Sequence, residues 1–156
     1  MPEYQIEEIY AKKYNTVTTS RKDIGDIYVD NIPINIKSNN VDKNNYSPNM
    51  VSAKKIHDYL SIPTNKLKFL FVSYNLIKNN INIIKEELVN VEHISWECLT
   101  IQCQGLGVIQ MNKSLKVNKK QTREEWLEHL KINYLRYIER ERNKLNKLEK
   151  MVEENA

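Results

Sequence analysis

The segment from Gly25 to Lys37 constrains the fold of this chain more than any other, because its side chains alternate about a tight turn. Asp30 and Asn31 at its centre tolerate the positive φ angles that a two-residue hairpin turn requires. The facing pairs that this turn predicts are Val29 with Ile32, Tyr28 with Pro33, Ile27 with Ile34 and Asp26 with Asn35. Facing residues of antiparallel strands share one side of a sheet, so one face is apolar and the other carries Asp26, Asn35 and Lys37.

An acid, an amide and a lysine on one face suit the hydrolysis of a phosphodiester. Asp26 can hold Mg²⁺, a hard cation that prefers oxygen ligands and keeps several waters. Asn35 can offer its carbonyl oxygen to the same ion or orient a water, and Lys37 can stabilise charge on the phosphate or position the attacking water. We therefore predict Asp26, Asn35 and Lys37 as catalytic residues and Mg²⁺ as the cofactor. The alternative is an ordinary hairpin whose polar face meets water.

The pattern Asp26-x8-Asn35-Ile36-Lys37 resembles the PD-(D/E)xK motif of type II restriction endonucleases, in which an acidic residue precedes a (D/E)-x-K strand. The polar residues 38–40 and 45–49 are similar to restriction enzymes as well. The chain departs from the motif at Asn35, where the family usually has Asp or Glu and some members carry Asn or Gln. The resemblance covers roughly residues 5–75. It implies a Mg²⁺-dependent nuclease with a restriction-endonuclease-like sheet that cuts double-stranded DNA and leaves a 5′-phosphate.

Asn35 leaves the metal site one carboxylate short of the family pattern. Family members often recruit a glutamate from a helix, so Glu8 on the first predicted helix is our choice of ligand beside Asp26 and Asn35. The alternatives are Glu7, Asp23 and Asp30.

The rest of the pattern predicts an α/β (α+β) fold with a central mixed sheet flanked by helices, forming a single nuclease domain over residues 1–156. The predicted elements are a helix over 3–15, the hairpin, a polar loop over 39–49, a helix from Ser47-Pro48 to about Leu60, strands over 66–76, 93–103 and 108–111, an ambiguous segment over 80–91, and a long helix over about 122–154. Thr122 with Glu125 is typical of a helix capping box. The charged end of this helix favours projection from the body and dimerisation, against the alternative that it lies over its own core.

Polar and basic residues are candidates for DNA contacts, because asparagine can pair with adenine and lysine can neutralise phosphates. The candidates are Ser38, Asn39, Asn40, Asn45, Asn49, Lys119 and Lys120, with Lys113, Lys116 and Arg123 in the same basic stretch as the last two. A solvated polar surface is the alternative for each of them. The net charge of +4 permits a polyanionic partner without requiring one.

The resemblance favours a type II restriction endonuclease acting as a homodimer, because a palindromic DNA site has two-fold symmetry. The alternatives are a structure-specific nuclease such as a Holliday-junction resolvase, and a non-catalytic DNA-binding module with a decayed nuclease fold, which Asn35 keeps open. The sequence has no apolar run of membrane-spanning length and no signal-peptide pattern at Met1. Cys98 and Cys103 have an odd separation in a predicted strand, so we expect reduced thiols in a cytoplasmic protein.

Overall fold

The computed structural model describes residues 2–20, 22–43 and 48–155, and within them it contains helices, two sheets and two short 3-10 turns. The helices are α1 (Pro2–Lys13), α2 (Ala53–Leu60) and α3 (Arg123–Glu154). The strands are β1 (Ile27–Val29), β2 (Ile32–Asn40), β3 (Asn49–Ser52), β4 (Lys68–Ile77), β5 (Asn80–Asn90), β6 (Leu99–Gln102) and β7 (Val108–Met111). The 3-10 turns are Val91–His93 and Trp96–Cys98. This content confirms the predicted α/β (α+β) class and the long C-terminal helix.

The strands form two sheets rather than the one central sheet that the sequence predicted. The larger sheet has the strand order β1-β2-β4-β5, and the smaller has the order β3-β7-β6. In the larger sheet, β2 is antiparallel to β1 and parallel to β4, while β4 and β5 form a long antiparallel hairpin. The second sheet arises because β3 pairs with β7. The segment that forms β3 was predicted to be part of a helix.

The β1–β2 hairpin has the predicted register between Ile27 and Ile34 and through to its turn. Asp30 and Asn31 form that turn with φ angles of 52° and 65°, as a tight type I′ turn requires. The ladder ends at Ile27, because the chain bends at Asp26 and the Asp26 amide donates to Ile34 O at 2.8 Å. The predicted pairing of Asp26 with the next residue, Asn35, is therefore wrong.

The bend at Asp26 depends on the glycine that precedes it. A Cβ atom at Gly25 would lie 2.5 Å from Pro33 Cβ, closer than real Cβ atoms approach one another. Only glycine therefore lets the chain pass this close to β2 before the hairpin starts. Thr19 N adds a hydrogen bond of 3.0 Å to Asp26 O, which ties the incoming loop to the same point.

Two apolar clusters hold the sheets and helices together. The large core joins the two sheets to α2 and α3, and its members include Phe69, Ile109 and Leu130. The small core packs α1 against the other face of the larger sheet; its members include Ile6, Tyr10, Ile27, Ile34, Ile36, Leu70 and Val72. Since Phe69 belongs to the large core and Leu70 to the small one, β4 is buried on both faces, as its nearly continuous apolar sequence predicted.

Two segments differ from the sequence-based prediction in their ends or type, and in a third the structure decides between strand and helix. The second helix begins at Ala53, where Ser52 Oγ accepts from Lys55 N at 3.4 Å, so the predicted start at Ser47-Pro48 is wrong. Ser47 itself lies outside the described residues, and Asn49 to Ser52 form β3 because this short stretch finds a partner strand in β7. The ambiguous segment is strand β5, and within the predicted strand over 93–103 the structure has the strand Leu99–Gln102 and an isolated bridge at Ile94.

Helix α3 begins as predicted and then leaves the body of the protein. Thr122 Oγ1 accepts from Glu125 N at 3.1 Å, and Trp126, Leu130 and Tyr137 are buried. From residue 142 to residue 155 every side chain is exposed. Within the part of the chain that the structure describes, α3 and the other helices lack the length or apolar character needed to cross a membrane. Cys98 and Cys103 are free thiols, the first buried and the second exposed.

Candidate active site

A pocket of about 390 Å³ opens where α1 meets the start of the hairpin and the middle of β2. Its lining residues are Glu3 and Glu7 from α1, Asp26 from the bend, Ile36, Lys37 and Ser38 from β2, and Pro48 and Asn49 at the start of β3. The pocket thus brings two of the three predicted catalytic residues, Asp26 and Lys37, to one place.

Asp26 is held in this pocket by the backbone of β2. Its Oδ2 atom accepts a hydrogen bond of 2.6 Å from the amide of Ile36. Burial raises the pKa of Asp26, and the Ile36 hydrogen bond together with the charge of Lys37 acts in the opposite direction. The bend therefore places a partly desolvated carboxylate in a fixed position beside Lys37.

Glu7 is the carboxylate that meets Asp26. Burial and the charge of Asp26 raise the pKa of Glu7 to about 7, a hydrogen bond with Asp26 adds to the rise, and the charge of Lys37 opposes it. Two carboxyl groups this close favour sharing one proton, because two adjacent negative charges are costly in a partly buried site. A divalent cation bound to both carboxylates would take the place of that proton.

Lys37 lies next to Phe71 in the parallel pairing of β2 with β4. Burial lowers the pKa of Lys37, while the charges of Asp26 and Glu7 raise it. None of the ion pairs found between described residues includes Lys37. The charges of Asp26 and Glu7 thus act on the Lys37 ammonium group. Because that group forms none of these ion pairs, it is available to an anionic ligand.

Asn35 is placed differently from the other two predicted catalytic residues. Its side chain is buried, with 9% exposed, and Nδ2 donates to Ile24 O at 3.0 Å. Asn35 is not among the residues that line the pocket. Its Oδ1 atom is buried and has no hydrogen-bond partner among the described residues. A buried oxygen in this state costs about 1–3 kcal/mol, so Oδ1 is suited to a ligand that supplies positive charge.

The structure separates Glu8 from the pocket. Glu8 lines a different depression, beside Asn79 and Asn80 of the β4–β5 turn. Ile6 and Tyr10 set which face of α1 is buried, and neighbouring helical residues point about 100° apart, so Glu7 and Glu8 face different surroundings. Glu7, which the sequence left as an alternative, occupies the position that we had assigned to Glu8.

The two remaining candidate carboxylates are engaged elsewhere. Asp23 Oδ1 accepts hydrogen bonds from Gly25 N at 3.0 Å and from Tyr28 Oη at 2.7 Å, which shapes the loop before the hairpin. Asp30 is exposed at the hairpin turn. Sequence reasoning missed Glu3, which lines the pocket one helical turn before Glu7; the four-residue spacing of these two glutamates is the signal that could have revealed it.

The residues present fit a hard divalent cation that keeps water in its coordination shell. Mg²⁺ is usually held by one or two carboxylates together with waters and substrate phosphates. Asp26 and Glu7 provide two carboxylates in the pocket, whereas the partnerless Asn35 Oδ1 lies outside its lining. Across residues 2–20, 22–43 and 48–155, no three His, Cys, Asp or Glu side chains converge on one point. A ligand set built entirely from such side chains, as in structural zinc sites, is thus not what these residues form.

Two of the predicted DNA-binding residues lie at the pocket and one lies beside it. Ser38 and Asn49 line the pocket itself, while Asn39 lines a neighbouring groove. Asn49 Nδ2 donates to Gln104 Oε1 at 2.9 Å, and Asn49 Oδ1 accepts from Gln110 Nε2 at 3.3 Å. The pocket rim therefore carries a group of interacting side-chain amides.

The other predicted DNA-binding residues do not come to the pocket. Asn40 Oδ1 accepts from Asp42 N at 3.0 Å, which closes a turn after β2. Lys119 and Lys120 are exposed in the turn before α3, and Asn45 lies outside the described residues.

The basic stretch before α3 also divides by role. Arg123 donates to Leu60 O at 2.7 Å and to Ile62 O at 3.0 Å, so it secures the end of α2. Lys116 pairs with Glu97. Lys113 lines the same groove as Asn39.

The pocket combines three carboxylates, those of Glu3, Glu7 and Asp26, with a lysine and a backbone hydrogen bond from strand β2. That arrangement can bind a divalent cation and an anionic oxygen side by side. No protein-family model matches this chain, and no curated protein matches it in sequence.

Proposed function

We propose that this protein is a Mg²⁺-dependent DNA endonuclease that hydrolyses phosphodiester bonds, of the type II restriction class that its PD-(D/E)xK-like motif resembles. The observation that supports this proposal most is the meeting of Asp26, Glu7 and Lys37 in one pocket. Placing the Glu7 carboxylate beside Asp26 in a partly buried pocket costs free energy. An ordinary hairpin whose polar face meets water has no use for that arrangement.

Each side chain has a definite task in this proposal. Asp26 and Glu7 would hold the cation. When bound, Mg²⁺ stabilises charge on the phosphate and lowers the pKa of a coordinated water. Lys37 places its ammonium against a non-bridging phosphate oxygen, where charge grows during attack. The hydrogen bond from the Ile36 amide fixes the orientation of the Asp26 carboxylate relative to the cation and to Lys37.

A second copy of this chain is the partner that we propose for the projecting half of α3. Ile138, Leu145 and Val152 repeat at intervals of seven, and Leu148 lies between the last two on the same side. Leu145, Leu148 and Val152 are 64%, 54% and 61% exposed. A spacing of this kind is typical of a seam between two paired helices.

The charges beside this seam are complementary between two copies of the helix. In a parallel pair, Lys144 of one copy faces Glu149 of the other, and the two-fold axis repeats the contact. The exposed part of α3 is about 20 Å long at 1.5 Å per residue, so the seam alone is short. Such a dimer would present two copies of the pocket to two strands of a symmetric DNA site.

The experiment that tests the function is digestion of a plasmid of known sequence with Mg²⁺ and with EDTA, followed by sequencing of the ends. Discrete bands with a shared end sequence, formed only with Mg²⁺, support the proposal. Cleavage that persists in EDTA contradicts the metal mechanism. Branched junctions cut regardless of sequence, with the linear plasmid intact, would identify a structure-specific nuclease instead. DNA binding without cleavage of either substrate would identify a non-catalytic module.

A further inference from the structure

A groove of about 310 Å³ runs beside the candidate active site, between the larger sheet and the segment that follows β7. Its floor is formed by strands β2, β4 and β5, and its wall by residues 113–115. Asn39, Ser73 and Lys85 form one row across the floor, because Asn39 pairs with Ser73 and Ser73 pairs with Lys85. The groove thus has a polar floor that continues across three strands.

The groove and the candidate active site are continuous along β2. Lys37 and Asn39 lie on the same face of that strand, two residues and therefore about 6.6 Å apart. Ser38 lines the active-site pocket and Asn39 lines the groove. A ligand that extends beyond Lys37 along this face enters the groove next.

The two cavities also meet at the smaller sheet. Met111 N donates to Pro48 O at 3.0 Å; Pro48 lines the active-site pocket and Met111 lines the groove. A backbone hydrogen bond therefore joins a residue of one cavity to a residue of the other.

The charged side chains of the groove favour an anion at the end remote from Lys37. Lys85 and Lys113 both line it, and neither takes part in an ion pair found between described residues. Among the described residues that line the groove, Glu87 is the one carboxylate, and it lies in the row of Lys37, next to Phe71. Lys85, in the row of Asn39, thus lies one row farther along the groove than Glu87, where the chain adjoining a bound phosphate would continue.

We propose that this groove binds the sugar-phosphate backbone of the nucleic-acid strand next to the bond held at Lys37. Lys85 and Lys113 contact the neighbouring phosphates, and Asn39 and Ser73 donate or accept hydrogen bonds to the same backbone. Phe71 supplies an apolar part of the floor for the sugar. This inference rests on the proposed function, because it takes the active-site pocket as the position of one phosphate.

The test measures the affinity of fluorescently labelled duplex DNA for the full chain in EDTA, at several salt concentrations, so that cleavage does not interfere. We expect Lys85→Ala and Lys113→Ala each to weaken binding about 3- to 10-fold. Each should also make the slope of log affinity against log salt shallower by about 0.9, the contribution of one neutralised phosphate. Glu87→Gln should strengthen binding, because it removes the one negative charge from the groove.

The matched control is Lys150→Ala, which removes an equally exposed lysine from α3 and should change neither the affinity nor the slope. Circular dichroism of each variant establishes that the fold is retained.

The outcomes separate this inference from the proposed function. If Lys85→Ala and Lys113→Ala bind and cleave DNA as the wild type does, the groove inference is overturned and the proposed function stands. If both variants weaken binding but the wild type never cleaves with Mg²⁺, the groove inference holds and the nuclease proposal fails. A wild-type chain that binds no DNA overturns both.

Discussion

Asp26 Oδ2 accepts a hydrogen bond from the amide of Ile36, the residue that immediately precedes Lys37 in β2. This bond connects the two parts of the candidate motif through one backbone group, although nine residues of hairpin separate Asp26 from Ile36 in sequence. It orients the carboxylate independently of any metal. The position of Asp26 relative to Lys37 is therefore a property of the hairpin backbone, and substitutions can separate the charge of Asp26 from its role as a hydrogen-bond acceptor.

We expect Asp26→Asn and Lys37→Ala each to reduce DNA cleavage by about 100-fold or more, the usual cost of removing a group that stabilises developing charge. Asp26→Asn keeps an oxygen that can accept from Ile36 N while it removes the charge that holds the cation. Initial rates on a plasmid substrate measure the loss, and circular dichroism measures the fold. Full activity in either variant would exclude the assigned site.

Glu7 and Glu8 form a matched pair of neighbouring glutamates on α1. Glu7→Gln should raise the Mg²⁺ concentration needed for half-maximal cleavage by about 10-fold, because one of two carboxylate ligands is lost. It should also stabilise the metal-free protein, since Asp26 no longer faces a second acid. Glu8→Gln should change neither the Mg²⁺ concentration for half-maximal cleavage nor the stability of the metal-free protein. Metal titrations and denaturant unfolding in EDTA measure both, and an effect of Glu8→Gln larger than that of Glu7→Gln would restore Glu8 as the ligand.

The strand register of the hairpin can be predicted from the sequence, but the set of residues that forms the site cannot. The register of β1 with β2 follows from local rules, since the Asp30-Asn31 turn and the apolar alternation agree. Local rules do not reveal which face of α1 packs against the sheet. Tyr4 and Ile9 are apolar yet exposed, while Ile6 and Tyr10 are buried. That choice depends on packing against distant strands, so the sequence could not distinguish Glu7 from Glu8.

The same limit explains the unpredicted second sheet. Residues 49–52 are too few to show strand periodicity, and they become a strand only because β7 lies alongside them. The end of the β1–β2 ladder at Ile27 was also hidden, since it depends on the close approach of Gly25 to Pro33. By contrast, Thr122 starts α3 through a hydrogen bond to a residue three positions away, and such local signals were predicted correctly.

Asn35→Asp introduces an acidic residue where the PD-(D/E)xK motif has one. In EDTA we expect it to lower the free energy of unfolding by roughly 1–3 kcal/mol, because Ile24 O loses its donor and a buried charge is added. Mg²⁺ should recover part of that loss in proportion to its binding. Asn82→Asp, at an exposed position of β5, is the control and should show no Mg²⁺ dependence. Equal behaviour of the two variants would exclude Asn35 from the metal site.

The projecting half of α3 should control the oligomeric state. Replacing both Leu145 and Leu148 by lysine places charge in the proposed seam and should convert a dimer into a monomer. Asn146→Lys adds charge away from the seam and should leave the dimer intact. Sedimentation velocity measures the molar mass of each variant. A wild-type monomer at micromolar concentration, or a dimer that survives the double substitution, would contradict this interface.

Glu86 ties α1 to β5 by accepting from Tyr10 Oη and from Lys13 Nζ, the latter at 2.8 Å. The hydrogen bonds from Lys13 and Tyr10 lower the pKa of Glu86 below its ordinary value of 4.5. A lowered folded-state pKa stabilises the protein above the unfolded-state pKa, and this contribution is lost as the pH falls through the folded-state pKa. The stability difference between the wild type and Glu86→Gln should therefore be constant near pH 7 and shrink below about pH 4.5. Denaturant midpoints across this range test the trend; a difference that grows with acid would contradict it.

Helix α1 contributes side chains to the small core but none to the large core, and it alone carries Glu7 to Asp26. We expect detachment of this one helix to dismantle the candidate active site while the large core stays packed. Loss of activity on warming would then precede global melting, and amide exchange would be faster in α1 than in β4. In this protein, the contacts that assemble the candidate active site and the contacts that form the large core belong to different clusters.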